Sequence, residues 1–421
     1  MSSDAPSIDI AISGAGPVGL ALAALLVQQG IACERLVLLD AQPPERPGAR
    51  QQDPRTIALS YGSSQILQKI GVWPAAASTI EEIHVSRRAH FGRTLIRCQD
   101  YGLPALGYVT QYSALVEALA QACAMRGIGT IRPANVAALV ENDREVRLLL
   151  AANQSIAAKL LIQAEGGQFA EQLAKTRSRD YRQTALVAQV AVSRPIPKRA
   201  FERFTDEGPL ALLPQDGPAR NTGVFATTPS TTTSSASQYA LVWCMRAATA
   251  QRLMTQPDDE FLAALQQAFG GRLGRFLHTT PRATYPLGLN AGAPDTARSV
   301  AIGNAAQTLH PVAGQGLNLG LRDAIVLAGL LAREATPAML KRFLTQRQRD
   351  RNLTIQLTDV MARIFVDGIG DPARSLRSSI IHPLSQSLLG LSLGLIDGIG
   401  PAKRLLAQQM MFGSRSSYTN G

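Results

Sequence analysis

A glycine-rich turn near the N-terminus constrains the fold of this chain more than any other feature. Residues 14–19 are Gly-Ala-Gly-Pro-Val-Gly and fit G-x-G-x-x-G. A short apolar strand precedes the turn, an Ala/Leu-rich helix follows it, and a second strand ends in an acid 21 residues after Gly19. In such a unit the glycines permit a tight turn close to a pyrophosphate, and the acid bonds a ribose hydroxyl. The pattern predicts a dinucleotide site made by Gly14, Gly16, Gly19 and Asp40.

A second glycine-rich stretch, residues 303–320, lies late in the chain. An apolar run that is typical of a buried strand precedes it, and a helical pattern follows it. Its glycines let the backbone approach a flat or anionic ligand closely, and the first amides of the following helix attract negative charge. Alone it is more typical of an ordinary turn. Together with the first turn it predicts a second wall of one cofactor site.

Three stretches resemble the FAD-dependent aromatic hydroxylases of ubiquinone biosynthesis, within the para-hydroxybenzoate hydroxylase superfamily. They are residues 14–19, residues 53–60 and residues 303–320. The form Gly-Asn-Ala-Ala-Gln-Thr-Leu-His-Pro, with Asn304 where most relatives carry Asp, is most similar to the branch that hydroxylates 2-polyprenyl-6-methoxyphenol. The segment Phe-Glu-Arg-Phe-Thr at residues 201–205 is similar to that branch's middle domain. The resemblance covers nearly the whole chain.

The resemblance implies a flavoprotein with FAD as bound cofactor and with NAD(P)H and O2 as co-substrates. A flavin hydroperoxide would hydroxylate a prenylated phenol, and other ubiquinone-biosynthesis proteins are candidate partners. Arg55 would pair with a cofactor phosphate, and Glu165 replaces the Asp of a common Ala-Asp-Gly sequence. The implied cofactor-binding residues are Arg55, Gln111, Glu165, Gly303, Asn304, Pro311, Gly314, Gln315, Gly316, Leu317 and Asn318.

The candidate catalytic residues are His310 and Pro311, both in the late glycine-rich stretch. A histidine titrates near neutrality and is suited to deprotonating a phenol, and Pro311 would set the approach of the loop to the flavin ring. His310 is also compatible with a simple loop role, and His84 and His90 lie in the predicted substrate region. No Ser/His/Asp or metal-ligand spacing is present, so no metal site is predicted.

The pattern predicts an α/β fold with a discontinuous Rossmann-like FAD-binding domain, a β-sheet substrate domain and a helical C-terminus. The predicted boundaries are 1–75, 107–178 and 289–337 for the FAD-binding domain, 76–106 and 179–288 for the substrate domain, and 338–421 for the helical region. Helices are predicted at residues 57–70, 258–269, 273–277 and 338–365, and Ser113 is predicted as a helix N-cap. Charges at Lys341, Arg342, Arg347, Arg349, Asp350 and Arg351 are predicted on the outer faces of the last helix.

The chain is strongly basic, with 42 Lys and Arg against 31 Asp and Glu and a net charge of +11. This balance would suit nucleic acid, an anionic membrane surface or an anionic cofactor. No basic run, zinc spacing or RNA-binding signature is present, which argues against nucleic acid. An apolar tail at residues 384–412 is suited either to a membrane surface or to packing on its own domain. A cytoplasmic protein with peripheral contact at the inner membrane is predicted.

Two alternatives stay open at this stage. A sister hydroxylase acting at another ring position would share these motifs. A flavin-binding scaffold in a biosynthetic assembly would also share them, with little turnover of its own. Asn304 and Glu165 depart from the family pattern, and these departures leave the scaffold alternative open.

Overall fold

The computed structural model describes residues 8–43, 55–74, 76–87, 93–150, 154–166, 177–215, 238–291, 295–308 and 315–366. The strands are β1 (Ile8–Ser13), β2 (Leu36–Leu39), β3 (Thr56–Ser60), β4 (Ser78–Ile80), β5 (Glu82–Arg87), β6 (Arg93–Arg97), β7 (Gly107–Gln111), β8 (Thr130–Ile131), β9 (Val136–Glu141), β10 (Val146–Leu150), β11 (Ser155–Gln163), β12 (Arg177–Val192), β13 (Arg199–Phe204), β14 (Pro209–Gln215), β15 (Gln238–Arg246), β16 (Phe276–Thr279), β17 (Ala283–Ala291), β18 (Ser299–Ala301) and β19 (Gln307–Thr308). The α-helices are α1 (Pro17–Gln28), α2 (Tyr61–Lys69), α3 (Tyr112–Met125), α4 (Ala247–Thr255), α5 (Asp258–Phe269), α6 (Gln315–Leu331) and α7 (Pro337–Val366).

A seven-stranded sheet holds the N-terminal unit, in the order β8-β2-β1-β11-β10-β9 with β18 beside β11. β1 runs parallel to β2 and β11, and β11 runs parallel to β18. Parallel neighbours require crossover connections, which here include α1. Residues 17–26 of α1 are all buried, and the helix packs with α3 and α6 in one core around Leu22, Leu25, Leu119 and Leu327. The helix is apolar all round because neighbours enclose it on every side.

A nine-stranded sheet has the order β19-β17-β12-β15-β14-β13-β5-β6, with β16 beside β12. α4 and α5 cover one face, where Phe201, Leu241 and Trp243 pack against Phe261 and Leu265. Because side chains alternate along a strand, the residues between these point to the opposite face. We call the face opposite α4 and α5 the uncovered face, because neither of these helices packs on it.

A three-stranded sheet, β3-β7-β4, lies against the uncovered face. Ile80 of β4 and Val109 of β7 pack with Ala200 and Leu213 of the nine-stranded sheet. Gln215 Nε2 at the end of β14 donates a hydrogen bond to Thr56 Oγ1 of β3 at 3.2 Å. The predicted discontinuous α/β fold with a helix toward the C-terminus is confirmed, since the chain enters the seven-stranded sheet in three separate stretches.

Three local predictions are wrong. The segment predicted as one helix at 57–70 is strand β3 followed by α2, because the Ser60 side chain accepts from the Ser63 backbone N–H and starts the helix at Tyr61. Ser113 is buried inside α3, and the extended N-cap residue is Gln111. The segment at 273–277 ends a short 3-10 helix and enters β16.

The charges of α7 also depart from expectation. Arg347 and Asp350 are buried rather than on an outer face. Arg347 Nη2 pairs with Asp350 Oδ2 at 2.6 Å, and Arg347 Nε donates to Asp323 of α6 at 2.8 Å. The contact with α6 encloses this face of α7, which a single-helix pattern does not reveal. Among the described residues no helix combines the length and apolar character needed to cross a bilayer.

Candidate active site

The first glycine turn lies where β1, β2 and β11 end. Gly14 has φ +107°, and its N–H donates to the Leu39 carbonyl at 2.7 Å. A Cβ on Gly14 would lie 2.7 Å from backbone atoms of Ala164 and Glu165, and a Cβ on Gly19 would collide with the Gly14 carbonyl oxygen. Both glycines are therefore required for strand and helix to pack at this distance.

Gly16 differs, because space is open beside it. It occupies the N-cap position of α1 in an extended conformation with no side-chain cap, and Pro17 begins the helix. A Cβ on Gly16 would find only the Tyr112 hydroxyl within reach, at 4.0 Å. An uncapped helix start with open space in front of it fits the pyrophosphate of a dinucleotide.

The late glycine stretch packs directly on this first turn. Gly303 has φ +59°, and a Cβ on it would lie 3.2 Å from Val18 of α1. A Cβ on Gly320 of α6 would lie 2.6 Å from the same side chain. Asn304 Oδ1 lies 3.7 Å from the position that a Cβ of Gly316 would take. The two glycine stretches thus lie against each other through Val18, and Asn304 lies beside the first turn of α6.

The remaining residues of the late stretch are placed differently. The Asn318 amide joins α6 to β3, since its Oδ1 accepts from Ser60 N at 2.8 Å and its Nδ2 donates to Ala58 O at 3.0 Å. Gln315 is buried, and Leu317 packs at the edge of the core around α1. The predicted site residues His310, Pro311 and Gly314 lie outside the described residues, as does His90.

Arg55 lies close to the start of α1. Its guanidinium carbon is 4.1 Å from the centroid of the Tyr112 ring, and the Tyr112 N–H donates to the Arg55 carbonyl at 2.9 Å. The Tyr112 hydroxyl in turn faces Gly16. Gln111 is exposed at the end of β7, where it pairs with Thr56.

Two predicted carboxylates flank Gly14 at the carboxyl edge of the parallel strands. Asp40 Oδ2 pairs with Arg132 Nη2 at 2.9 Å, and its Oδ1 accepts from Gln42 N at 2.9 Å. Glu165 is exposed and accepts a hydrogen bond from Ser13 Oγ. In open α/β sheets ligands bind outside this edge, at the point where neighbouring connections leave in opposite directions.

A row of half-buried side chains crosses the uncovered face of the nine-stranded sheet. The pairing places Val85 of β5 beside Glu202 of β13, then Ala211 of β14, Val242 of β15 and Val187 of β12. All five are half-buried, although four are apolar and β12–β15 are interior strands. We call this set the half-buried row. The accessible surface of these five side chains is the candidate wall of a substrate site, which we call the cleft.

His84 does not reach this cleft. It is buried on β5, and its ring centroid lies 5.7 Å from that of Phe201, on the face covered by α4 and α5. Its Nδ1 lies 3.4 Å from Arg272 Nη1. The sheet therefore separates His84 from the cleft.

The sheet topology and the paired glycine turns define an FAD-binding protein with the fold of solved flavin monooxygenases. The solved p-nitrophenol 4-monooxygenase PnpA of Pseudomonas putida shares the fold, with a TM-score of 0.68 at 15% identity over 98% of this chain and 100% of that one. The chain belongs to the family described as FAD binding domain, whose model matches residues 7–358.

Curated relatives place the resemblance more narrowly. The ubiquinone hydroxylase UbiL of Rhodospirillum rubrum is 29% identical, over 96% of this chain and 89% of that protein. The 3-demethoxyubiquinol 3-hydroxylase of Escherichia coli is also 29% identical, over 88% of this chain and 93% of that protein. The predicted resemblance to FAD-dependent hydroxylases of ubiquinone biosynthesis is confirmed.

Proposed function

We propose that this monooxygenase hydroxylates the ring of a polyprenylated phenol, 2-polyprenyl-6-methoxyphenol, in ubiquinone biosynthesis, using NAD(P)H and O2. The observation that carries the proposal is the half-buried row. It places accessible valine and alanine side chains, with Glu202 among them, as a floor on the face that meets the three-stranded sheet. An aromatic ring with a hydrocarbon chain matches such a floor, and exclusion of water protects the reaction.

The first glycine turn and its neighbours fit FAD. The open N-cap at Gly16 would receive the pyrophosphate, with Arg55 beside it as a countercharge. Asp40 would bond the ribose, and Asn304 and Gly316 would border the flavin ring. Bound FAD would supply the electron transfer and oxygen chemistry that amino-acid side chains lack. The protein's task is to orient the phenol and to exclude water.

A second candidate is hydroxylation at another ring position of the same class of substrate. The chain is similar both to a 3-demethoxyubiquinol 3-hydroxylase and to UbiL, and it is 29% identical to each of them. This equal similarity favours the second candidate. Both candidates use the same cleft and cofactor, so product analysis separates them. The position of the new hydroxyl, assigned by mass spectrometry and NMR of the product, decides between the two.

We further propose that the protein acts in the cytoplasm at the inner-membrane surface, where a polyprenylated substrate would reside, and that other ubiquinone-biosynthesis proteins are its candidate partners. The net charge of +11 supports attraction to anionic lipid headgroups. Raised ionic strength is expected to release the protein from anionic vesicles, and binding that does not change with salt would contradict this part of the proposal.

The absorbance spectrum of the purified protein tests the function. We expect flavin bands that bleach under anaerobic addition of NAD(P)H, and bleach faster when a short-chain 2-prenyl-6-methoxyphenol is present. Bound flavin that is not reduced under either condition would favour the scaffold alternative. No flavin after reconstitution would contradict the cofactor assignment of both glycine turns.

Arg55→Ala is expected to raise the dissociation constant of FAD roughly tenfold or more, because a charge-assisted hydrogen bond contributes about 1.5–3 kcal/mol. Release of FAD on dilution, followed by flavin fluorescence, measures the change. Arg35→Ala is the matched control, since Arg35 is half exposed and pairs with Asp9 away from the turn. Equal FAD affinity in wild type and Arg55→Ala would remove Arg55 from the phosphate site.

A further inference from the structure

Glu202 is the one ionisable residue of the half-buried row. On β13 it pairs with Ala211 on one side and with Val85 on the other, so apolar side chains flank it within the sheet. Its neighbours on the same face of β13 are Ala200 and Phe204, both buried. A carboxylate in this setting costs free energy unless something compensates its charge.

No compensating partner is present among the residues that the structure describes. Glu202 forms no hydrogen bond or ion pair there, although its side chain keeps accessible surface. Its carboxylate therefore borders the cleft. Among the described side chains, five other ionisable groups share the face by strand register, namely Arg87, Cys244, Arg246, His278 and Tyr285, and Arg246 is already paired with Glu207. The three-stranded sheet contributes the neutral Ile80 and Val109 opposite.

Dense packing around Glu202 changes its proton affinity. Burial raises the pKa of the Glu202 carboxyl to about 7. That value is roughly halfway from an ordinary Glu to a phenol, whose pKa is about 10. Burial, and then the nearby charge of Glu202, raise the pKa of the Cys244 thiol, so Cys244 stays protonated and is not the competing base.

We propose that Glu202 binds the phenolic hydroxyl of the substrate and accepts its proton. The O–H bond of the phenol breaks, its electron pair stays on the ring oxygen, and the proton bonds to a carboxylate oxygen of Glu202. The carboxylic acid later returns the proton to water. A phenolate ring is more electron-rich than a phenol ring and reacts faster with an electrophilic oxygen. This inference rests on the proposed function, because it requires a phenolic substrate in the cleft.

The position of Glu202 matches what a general base requires. It keeps accessible surface on the face that we propose receives the substrate, it has no internal partner among the described residues, and it is charged above neutral pH. General bases of this kind contribute roughly 10²–10⁴-fold to a rate. Among the described residues of the uncovered face, Glu202 is the one carboxylate on the half-buried row.

Glu202→Gln tests the assignment, since it keeps the side-chain shape and removes the proton acceptor. The probe is a short-chain 2-prenyl-6-methoxyphenol, and the readouts are phenol-stimulated flavin reduction and the absorbance of bound phenolate across pH. In the wild type both are expected to rise with a midpoint near pH 7. In Glu202→Gln both are expected to fall roughly 100-fold at pH 8 and to rise only as the phenol itself ionises.

A more acidic phenol distinguishes loss of the proton acceptor from structural damage in the Glu202→Gln variant. A ring-fluorinated form of the probe, ionised in water at pH 8, is expected to restore the Glu202→Gln variant and to change the wild type little. Glu202→Asp, which keeps the carboxylate, is expected to retain the midpoint near neutrality. Glu81→Gln is the matched control, because Glu81 pairs with Lys198 at 2.7 Å at the start of β5, outside the row. FAD content verifies that each variant is folded.

The outcomes are distinguishable. If wild-type flavin does not respond to the phenol at any pH, the proposed function fails and the role of Glu202 fails with it. If the wild type responds and Glu202→Gln shows the same pH midpoint and the same rate, Glu202 is not the base and the proposed function stands. Loss of rate in Glu202→Gln that the acidic phenol does not restore would also overturn the proton-acceptor role.

Discussion

Replacing Asp323 with Asn is expected to destabilise the protein by about 3–5 kcal/mol, the range for breaking a buried ion pair. Asp323 of α6 is fully buried and accepts from Arg347 Nε at 2.8 Å and from Arg351 Nη2 at 2.8 Å. Asparagine would remove the countercharge of Arg351 and one of the two carboxylates that pair with Arg347, whose other partner is Asp350. Arg351 Nη2 also donates to the Ala301 carbonyl at 3.0 Å, at the end of β18 where the late glycine stretch begins. The loss should therefore loosen FAD as well, and urea unfolding of the holoprotein with flavin fluorescence measures both.

The pH dependence of this effect has a defined sign. Burial alone would raise the pKa of Asp323, but the charges of Arg351 and Arg347 outweigh it and hold the pKa below its ordinary value. A depressed pKa gives stability that is present above the unfolded value of about 4 and is lost as pH falls through the folded value. The gap between wild type and Asp323→Asn should thus be constant at neutral pH and shrink only in strong acid.

Asp258→Asn is the control for Asp323→Asn. Asp258 pairs with Arg282 at 3.0 Å, but 64% of its side chain is exposed. An exposed pair contributes less than about 1 kcal/mol. If Asp323→Asn cost no more than Asp258→Asn, the buried network would not be what joins α6 and α7.

The parts of the fold that the sequence predicts best are those set by short-range chemistry. The strand, turn and helix at residues 8–28 follow from glycine spacing and apolar runs, and the structure has them at those positions. Contacts between segments that are distant in sequence are harder to predict from the sequence. That both glycine stretches serve one site was predicted, whereas their shared contact with Val18 requires the three-dimensional arrangement.

The errors have a common physical origin in tertiary context. Residues 56–60 have an ambiguous pattern that becomes a strand because β7 pairs with it. Arg347 and Asp350 look like solvent-exposed charges until α6 supplies Asp323 as a partner. Both outcomes depend on neighbours that lie far away in sequence, which local periodicity does not encode.

Glu202, the proposed base, is also absent from the catalytic residues that the sequence predicts. Histidine is the residue type that the sequence favours as a base, because its ordinary pKa lies near neutrality. Glu202 stands between Phe201 and Arg203 in a segment noted only for its family resemblance. The available signal was alternation, since Phe201 packs under α5 and its neighbour must point to the other face. Alternation alone does not predict that the other face borders a cleft.

Gly14→Ala is expected to remove bound FAD and to destabilise the protein by about 2–5 kcal/mol. A non-glycine residue at φ +107° costs about 1–2 kcal/mol, and the added Cβ would lie 2.7 Å from the backbone at Ala164 and Glu165, which adds about 1–3 kcal/mol of overpacking. The turn must then move away from the end of β11, and it carries the open N-cap at Gly16 with it. The flavin-to-protein absorbance ratio after purification and the urea midpoint measure the two effects.

Gly30→Ala separates the conformational cost from the collision. Gly30 follows α1 with φ +100°, close to that of Gly14, and a Cβ on it would meet nothing within 4 Å. It should show the cost of about 1–2 kcal/mol for the backbone angle and keep its full complement of FAD. The difference between the two variants is then the effect of the contact between the turn and β11. If both variants kept FAD equally, close packing at Gly14 would not be what holds the cofactor-binding turn in place.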